Sequence, residues 1–131
     1  FITSSNAYSQ EKNLSEYYLS HLNRYNCNSV DSCLRAALDK IPKDSKSKSL
    51  ARPYLLKACL YKDEMACQMA VVAYIEESQP VHALKISDFL CDFDNRRCVL
   101  QTKVESLIKR EMGTKMVQQS RDLPLELINF Y

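Results

Sequence analysis

The sequence predicts an all-α fold: a right-handed stack of about three disulfide-stapled helical hairpins, forming a short α-solenoid with a long C-terminal helix and a tail. Three observations support this. The 131-residue chain contains one glycine, Gly113, whereas β-sandwiches and barrels need glycine at many tight turns. Six cysteines fall into three close pairs. The first members of these pairs, Cys27, Cys59 and Cys91, recur every 32 residues, a period typical of helical repeat arrays.

Apolar residues at helical spacing place the helices along the chain. The predicted helices cover residues 10–26, 31–41, 48–60, 64–77, 80–92 and 95–119. Pro80 suits the first turn of the fifth helix. The sixth helix carries the apolar stripe Leu100, Val104, Leu107, Ile108, Met112 and Met116. Residues 1–9 are interpreted as a loose leader, residues 10–119 as one repeat domain, and residues 120–131 as a tail or short helix with Asp122 as its N-cap.

Each cysteine pair brackets a short polar loop, so the two cysteines would face each other where antiparallel helices meet. This geometry favours the bridges Cys27–Cys33, Cys59–Cys67 and Cys91–Cys98. Buried free thiols and a zinc site are the alternatives, but structural zinc sites usually show closer pairs or nearby histidines. We therefore expect no metal and no cofactor. Because disulfides persist in oxidising surroundings, the protein is expected to be periplasmic or secreted.

The middle hairpin carries a more specific pattern: Ala51, Tyr54, Lys57-Ala58-Cys59 and Cys67. This pattern resembles the cysteine-rich form of the SEL-one-like repeat, a relative of the tetratricopeptide repeat. The resemblance implies stacked helical hairpins. Some cysteine-rich relatives are reported to bind or cleave β-lactams, which keeps an enzyme alternative open. The nearest serine–lysine sequence is Ser45-Lys46-Ser47-Lys48, in a predicted loop.

Charge and motifs exclude several other functions. With 18 basic and 16 acidic residues the net charge is +2, which gives no electrostatic reason to expect nucleic acid or an anionic membrane. No apolar run reaches the roughly 18 residues of a membrane span. Neither His21 nor His82 accompanies a nucleophile motif, so we expect no enzyme and place both histidines on exposed or groove-lining helix faces. The carboxylates of "DFDNRR" are interpreted as a solvated turn because this loop lacks the glycine and later glutamate of a calcium loop.

Tyrosines on the first helices of the hairpins suggest an interaction surface, since such helices often line the concave face of solenoids. Tyrosine and arginine are enriched at interface hot spots. The predicted protein-binding residues are Tyr17, Tyr18, Arg24, Tyr25, Arg52 and Tyr54. The alternatives are that these tyrosines pack between helices, or that the final helix and tail form the surface.

The sequence thus predicts a protein that binds another protein, such as an inhibitor, an immunity protein or an envelope assembly adaptor. A β-lactam-binding or hydrolysing enzyme and a structural homodimer are the alternatives.

Overall fold

The computed structural model describes residues 14–40, 48–93, 96 and 98–128 of the chain. The regular secondary structure of these residues is entirely helical, as predicted. The first helix, α1, includes residues 14–21. The others are α2 (Val30–Lys40), α3 (Lys48–Leu60), α4 (Glu64–Glu76), α5 (Pro80–Phe93), α6 (Cys98–Met112) and α7 (Thr114–Asp122), followed by a 3-10 turn at Leu125–Leu127. None of the described helices has the length and apolar character needed to cross a membrane.

All six cysteines form the predicted local bridges. The Cα atoms lie 5.0 Å apart in Cys27–Cys33 and 4.5 Å apart in both Cys59–Cys67 and Cys91–Cys98, within the range that unstrained disulfides adopt. The bridges Cys59–Cys67 and Cys91–Cys98 join the end of one helix to the start of the next. The predicted first helix, 10–26, ends at residue 21, so Cys27 lies in the following loop and bridges to the first turn of α2. Three such bridges indicate that the protein folds and works in an oxidising environment.

The turn between α3 and α4 shows why a charged stretch lies between two cysteines. Lys62 adopts a positive φ of 76°, which reverses the chain, and its amide donates to the carbonyl of Cys59 at 2.8 Å. Asp63 is the N-cap of α4, because its carboxylate accepts from the Ala66 amide at 2.8 Å. The polar residues thus end one helix and start the next, and the bridge fixes the turn.

Two lysines of the middle hairpin connect it to its neighbours. The Lys57 ammonium is buried and donates to the carbonyls of Tyr25 at 2.9 Å and Cys27 at 2.8 Å, in the first hairpin. On the other side, the Lys62 ammonium lies 5.3 Å from the centre of the Phe93 ring on α5, within cation–π distance. Both contacts join the middle hairpin to a neighbouring one.

Each helix from α2 to α7 packs against the next one, and α5 also contacts α7. In an open stack each hairpin touches only its neighbours. Here the hydroxyl of Tyr18 on α1 hydrogen-bonds to Nδ1 of His82 on α5 at 2.8 Å, so the first hairpin reaches the third. At this point the concave face that the first helices were expected to line is occupied by the Tyr18 and His82 side chains. The handedness of the stack and its repeat character stay predictions.

The sixth predicted helix, 95–119, is wrong in one respect, because Gly113 divides it into α6 and α7. Gly113 has a φ of +97°, a conformation that side-chain-bearing residues rarely adopt. This break lets α7 fold back onto α5 and α6. It also corrects the predicted role of Asp122, which is the last residue of α7, whereas Pro124 precedes the final turn.

Candidate functional site

One of the predicted binding residues, Tyr18, is not on the surface. Its side chain has 0% exposure, and burial raises the pKa of its hydroxyl well above the ordinary value. Tyr18 is therefore a core residue, and His82 of α5 contacts both its ring and its hydroxyl. The expectation of an exposed His82 is also wrong, since this residue is 2% exposed.

Tyr18, His82 and Tyr74 form a connected aromatic cluster inside the molecule. The His82 ring stacks on the Tyr74 ring with 4.6 Å between centroids and 15° between planes. Burial raises the pKa of Tyr74 to about 12. Because its Nδ1 already hydrogen-bonds to Tyr18 and its ring is covered, His82 is poorly placed to serve as a general base for a substrate.

Arg52 belongs to the edge of this aromatic cluster. Its guanidinium lies 4.9 Å from the centre of the Tyr74 ring and forms an ion pair with Glu77. Both interactions hold Arg52 at the junction of α3 and the end of α4. Arg52 thus has interaction partners within the chain.

Arg24, Tyr25 and Tyr54 do come together, as the sequence predicted. The Tyr25 and Tyr54 rings meet edge to face at 5.3 Å, and Arg24 donates to the Tyr25 hydroxyl at 2.8 Å. Arg24 is exposed and both rings are half-buried. The Tyr17 ring contacts the His21 ring, with 4.5 Å between centroids. Whether these residues bind a partner stays a prediction.

A different surface is more distinctive: an apolar groove between α3 and α4, which we call the α3/α4 groove. Its volume is about 310 Å³, and it is lined by Ala51, Leu55, Gln68, Met69, Val72, Ala73 and Glu76. Met69 is 38% exposed and Val72 is 49% exposed. One turn before Met69, Met65 is 67% exposed and extends the same apolar stripe along α4.

The α3/α4 groove exists because α4 is apolar on more than one side. Ala66, Cys67, Ala70 and Tyr74 face the interior, while Met65, Met69 and Val72 remain accessible. Large apolar side chains that stay accessible along one helix face mark interaction sites in many proteins. The sequence analysis interpreted "QMAVVAYI" only as an apolar helix. The signal it missed is that this helix has more apolar side chains than one buried face can hold.

Several groups considered for catalysis are bonded within the chain or lie outside the described residues. Ser45, Lys46 and Ser47 lie outside the described residues, and Lys48 begins α3. No cysteine is available as a nucleophile. Within the described ranges no three potential metal ligands come together; Asp94 and Asn95 of the predicted solvated turn fall outside them. Comparison of the chain with protein-family models, with curated proteins and with solved structures finds no match.

Proposed function

We propose that this chain is a protein-binding module of the periplasm or the secreted space, and that the α3/α4 groove is its binding surface. The observation that carries the proposal is the stripe of Met65, Met69 and Val72, which is accessible beside an apolar groove. Leaving such a stripe in water costs free energy that burial against a partner recovers. Methionine suits this role because its flexible side chain adapts to different partner shapes.

The scaffold beneath the groove supports the same proposal. The Cys59–Cys67 bridge closes the α3–α4 hairpin, and Asp63 caps α4. Both walls of the groove are therefore fixed before a partner arrives, which reduces the entropy lost on binding. An inhibitor, an immunity protein or an assembly adaptor would each use a rigid surface of this kind. We propose these as concrete versions of the function.

A matched pair of substitutions tests the groove. Val72 in α4 and Val99 in α6 are both exposed valines, at 49% and 61%, but only Val72 lines the groove. Wild type, Val72→Glu and Val99→Glu are immobilised and exposed to the extracytoplasmic fraction of the source organism, and retained proteins are identified by mass spectrometry. We expect one protein to be retained by wild type and Val99→Glu but not by Val72→Glu.

Retention of the same proteins by all three variants would contradict the proposed surface. A further variant, Arg24→Ala with Tyr25→Ala, separates the groove from the surface predicted by sequence. If this double variant loses the partner and Val72→Glu keeps it, the binding surface lies on the Arg24–Tyr25–Tyr54 cluster. Circular dichroism of each variant checks that its helix content is unchanged.

A further inference from the structure

α7 lies beyond the part of the chain that the disulfides close. The three bridges fall between Cys27 and Cys98, whereas α7 begins at Thr114, so no bridge has to be strained or broken when α7 moves. α7 is joined to α6 through Gly113, which has a φ of +97°. A Cβ atom at Gly113 would have no described heavy atom within 4 Å apart from its chain neighbours. Because glycine tolerates a wide range of backbone angles and this one has open space around it, Gly113 is suited to act as a hinge.

α7 has few apolar side chains that hold it against the core. The apolar residues among its nine are Met116, which is partly buried, and Val117, which is buried. By comparison, α5 buries seven of its 14 residues. Stabilisation by apolar contacts grows with the area removed from water, so these contacts hold α7 less firmly than α5. A helix of nine residues is also too short to be stable in water by itself, so α7 loses its helical hydrogen bonds when it leaves the core.

The buried face of α7 also carries a hydroxyl that favours release from the core. Ser120 is 1% exposed, and its Oγ has no hydrogen-bond partner among the described residues. A buried polar group without a partner has a higher free energy than the same group in water. Ser120 regains hydrogen bonds to water when α7 leaves, so it lowers the free energy needed to release the helix. Alanine would fill this position without that cost.

Charged groups at the C-terminal end of α7 hold it in place. Arg121 forms ion pairs with Asp88 of α5 and Glu105 of α6. Lys85 of α5 donates to the carbonyls of Arg121 and Leu123. The three side chains of the ion pairs are about a quarter exposed, so dissolved ions can screen their attraction. The contacts that hold α7 therefore weaken as the salt concentration rises, whereas the apolar contacts and disulfides of the other helices do not.

We infer that α7, together with the residues after it as far as Ile128, is a strap that is hinged at Gly113, held down by charge, and able to open while α1–α6 stay folded. Opening separates Arg121 from its two carboxylates, returns Ser120 to water and exposes the side chains of α5 and α6 that α7 covers. Because its main polar contacts are ionic, the open population rises with ionic strength. The strap lies on α5 and α6, so its opening does not depend on what the α3/α4 groove binds.

Hydrogen exchange of the full chain, followed by mass spectrometry of peptic fragments, tests the strap. The exchange of α7 amides is compared with that of α4 amides in about 0.1 M and about 1 M sodium chloride, between which the screening length falls from about 10 Å to about 3 Å. We expect α7 to exchange at least about threefold faster at the higher concentration, while α4 is unchanged. At the lower concentration, Ser120→Ala should slow the exchange of α7 at least about threefold. Ser106→Ala, at an exposed serine of α6, is the matched control and should leave α7 unchanged.

Dilute urea distinguishes opening of the strap from unfolding of the whole chain. Local opening exposes little surface, so the exchange of α7 should hardly change with urea below the unfolding transition, whereas that of α4 should accelerate. If α7 and α4 instead accelerate together, α7 unfolds only with the whole chain and the strap is wrong. Exchange of α7 that is independent of salt would overturn the ionic control of opening. Faster exchange in Ser120→Ala than in wild type would also contradict the inference, because it would show that the hydroxyl holds α7 in place.

Discussion

Two polar networks on neighbouring faces of α5 hold the molecule together, and they differ in chemistry. On one face His82 lies between Tyr18 of α1, whose hydroxyl hydrogen-bonds to its ring, and Tyr74 of α4, whose ring stacks on it. On the other face Lys85 and Asp88 contact α7 through charged groups. The first network is fully buried, whereas Asp88 keeps 26% exposure.

The second network is centred on Arg121. We call Arg121, Asp88 and Glu105 together the Arg121 clamp. The guanidinium donates to both carboxylate oxygens of Asp88, at 3.0 and 2.9 Å, and also pairs with Glu105 of α6. The hydrogen bond to Asp88 is the main reason that the pKa of Arg121 lies above its ordinary value. Lys85 adds bonds to the carbonyls of Arg121 and Leu123 at 2.9 and 3.0 Å.

The comparison shows how the environment selects the interaction. Where the interior is dry, unpaired charge costs several kcal/mol, and the structure uses stacked rings and one hydrogen bond between side chains. Where water still reaches the side chains, charged pairs cost less to desolvate and fix the orientation of α7. We therefore expect the aromatic cluster to resist salt and the Arg121 clamp to respond to it.

The largest effect is expected from removing Tyr18. Because its ring is fully buried against His82, Tyr18→Ala should lower the free energy of unfolding by about 3 to 5 kcal/mol. The control is Tyr17→Ala, which removes the neighbouring, half-exposed tyrosine. This change should lower the free energy of unfolding by about 1 kcal/mol or less. Urea unfolding followed by far-UV circular dichroism measures both. If Tyr18→Ala were as stable as Tyr17→Ala, Tyr18 would not be a core residue, and the prediction that it lies on the binding surface would stand again.

A smaller effect is expected from raising the pH. The tyrosines of the unfolded chain ionise near pH 10, whereas the pKa of buried Tyr74 is about 12. Between these values the folded chain keeps a proton that the unfolded chain loses, so stability that is fully present below pH 10 is lost as the pH rises towards 12. Tyr74 should account for about 2 to 3 kcal/mol of that loss.

Tyr74→Phe isolates this contribution, because phenylalanine keeps the ring on His82 but has no ionisable group. Buried Lys57 has the opposite effect, because burial lowers its pKa and its contribution therefore increases stability as the pH rises. This contribution is the same in wild type and in Tyr74→Phe. Urea unfolding at pH 8 and at high pH should show a smaller fall for Tyr74→Phe than for wild type. Equal falls would mean that Tyr74 is solvated.

The smallest effect is expected from the Arg121 clamp. Arg121→Leu leaves the carboxylates of Asp88 and Glu105 without their shared cation. Because these side chains are about a quarter exposed, the cost should be about 1 to 2 kcal/mol, below that of breaking a fully buried pair. High salt should reduce the difference from wild type. Amides in α7 should exchange hydrogen faster in Arg121→Leu but not in Lys115→Leu, an exposed position on the same helix.

Unchanged exchange in α7 would show that the apolar contacts of Val117 and Ile128, both buried, hold this segment without the clamp. A uniform increase over the whole chain would show instead that α7 unfolds together with the rest. Either result would contradict the view that the Arg121 clamp holds α7 independently of the aromatic cluster on the other face of α5.

Much of the local structure could be predicted from the sequence. The structure places α2 to α5 within about a residue of the predicted bounds at each end, because apolar periodicity and capping residues act within one or two helical turns. The disulfide pairing could be predicted for the same reason: cysteines six to eight residues apart meet whenever the intervening residues form a turn. The groove could be predicted less well, since its apolar residues were visible but their exposure was not.

The sequence by itself determined the helical hairpins and their bridges, because these depend on residues close together in the chain. Only the tertiary structure decided which faces are covered. Tyr17 and Tyr18 are adjacent tyrosines on one helix, yet Tyr17 is half-exposed and Tyr18 is buried. The difference arises because His82, which is 64 residues further along the chain, packs against Tyr18. In the same way, Gly113 turns α7 back onto α5. The burial of a side chain is set by the element that packs on it, and a one-dimensional pattern does not specify that neighbour.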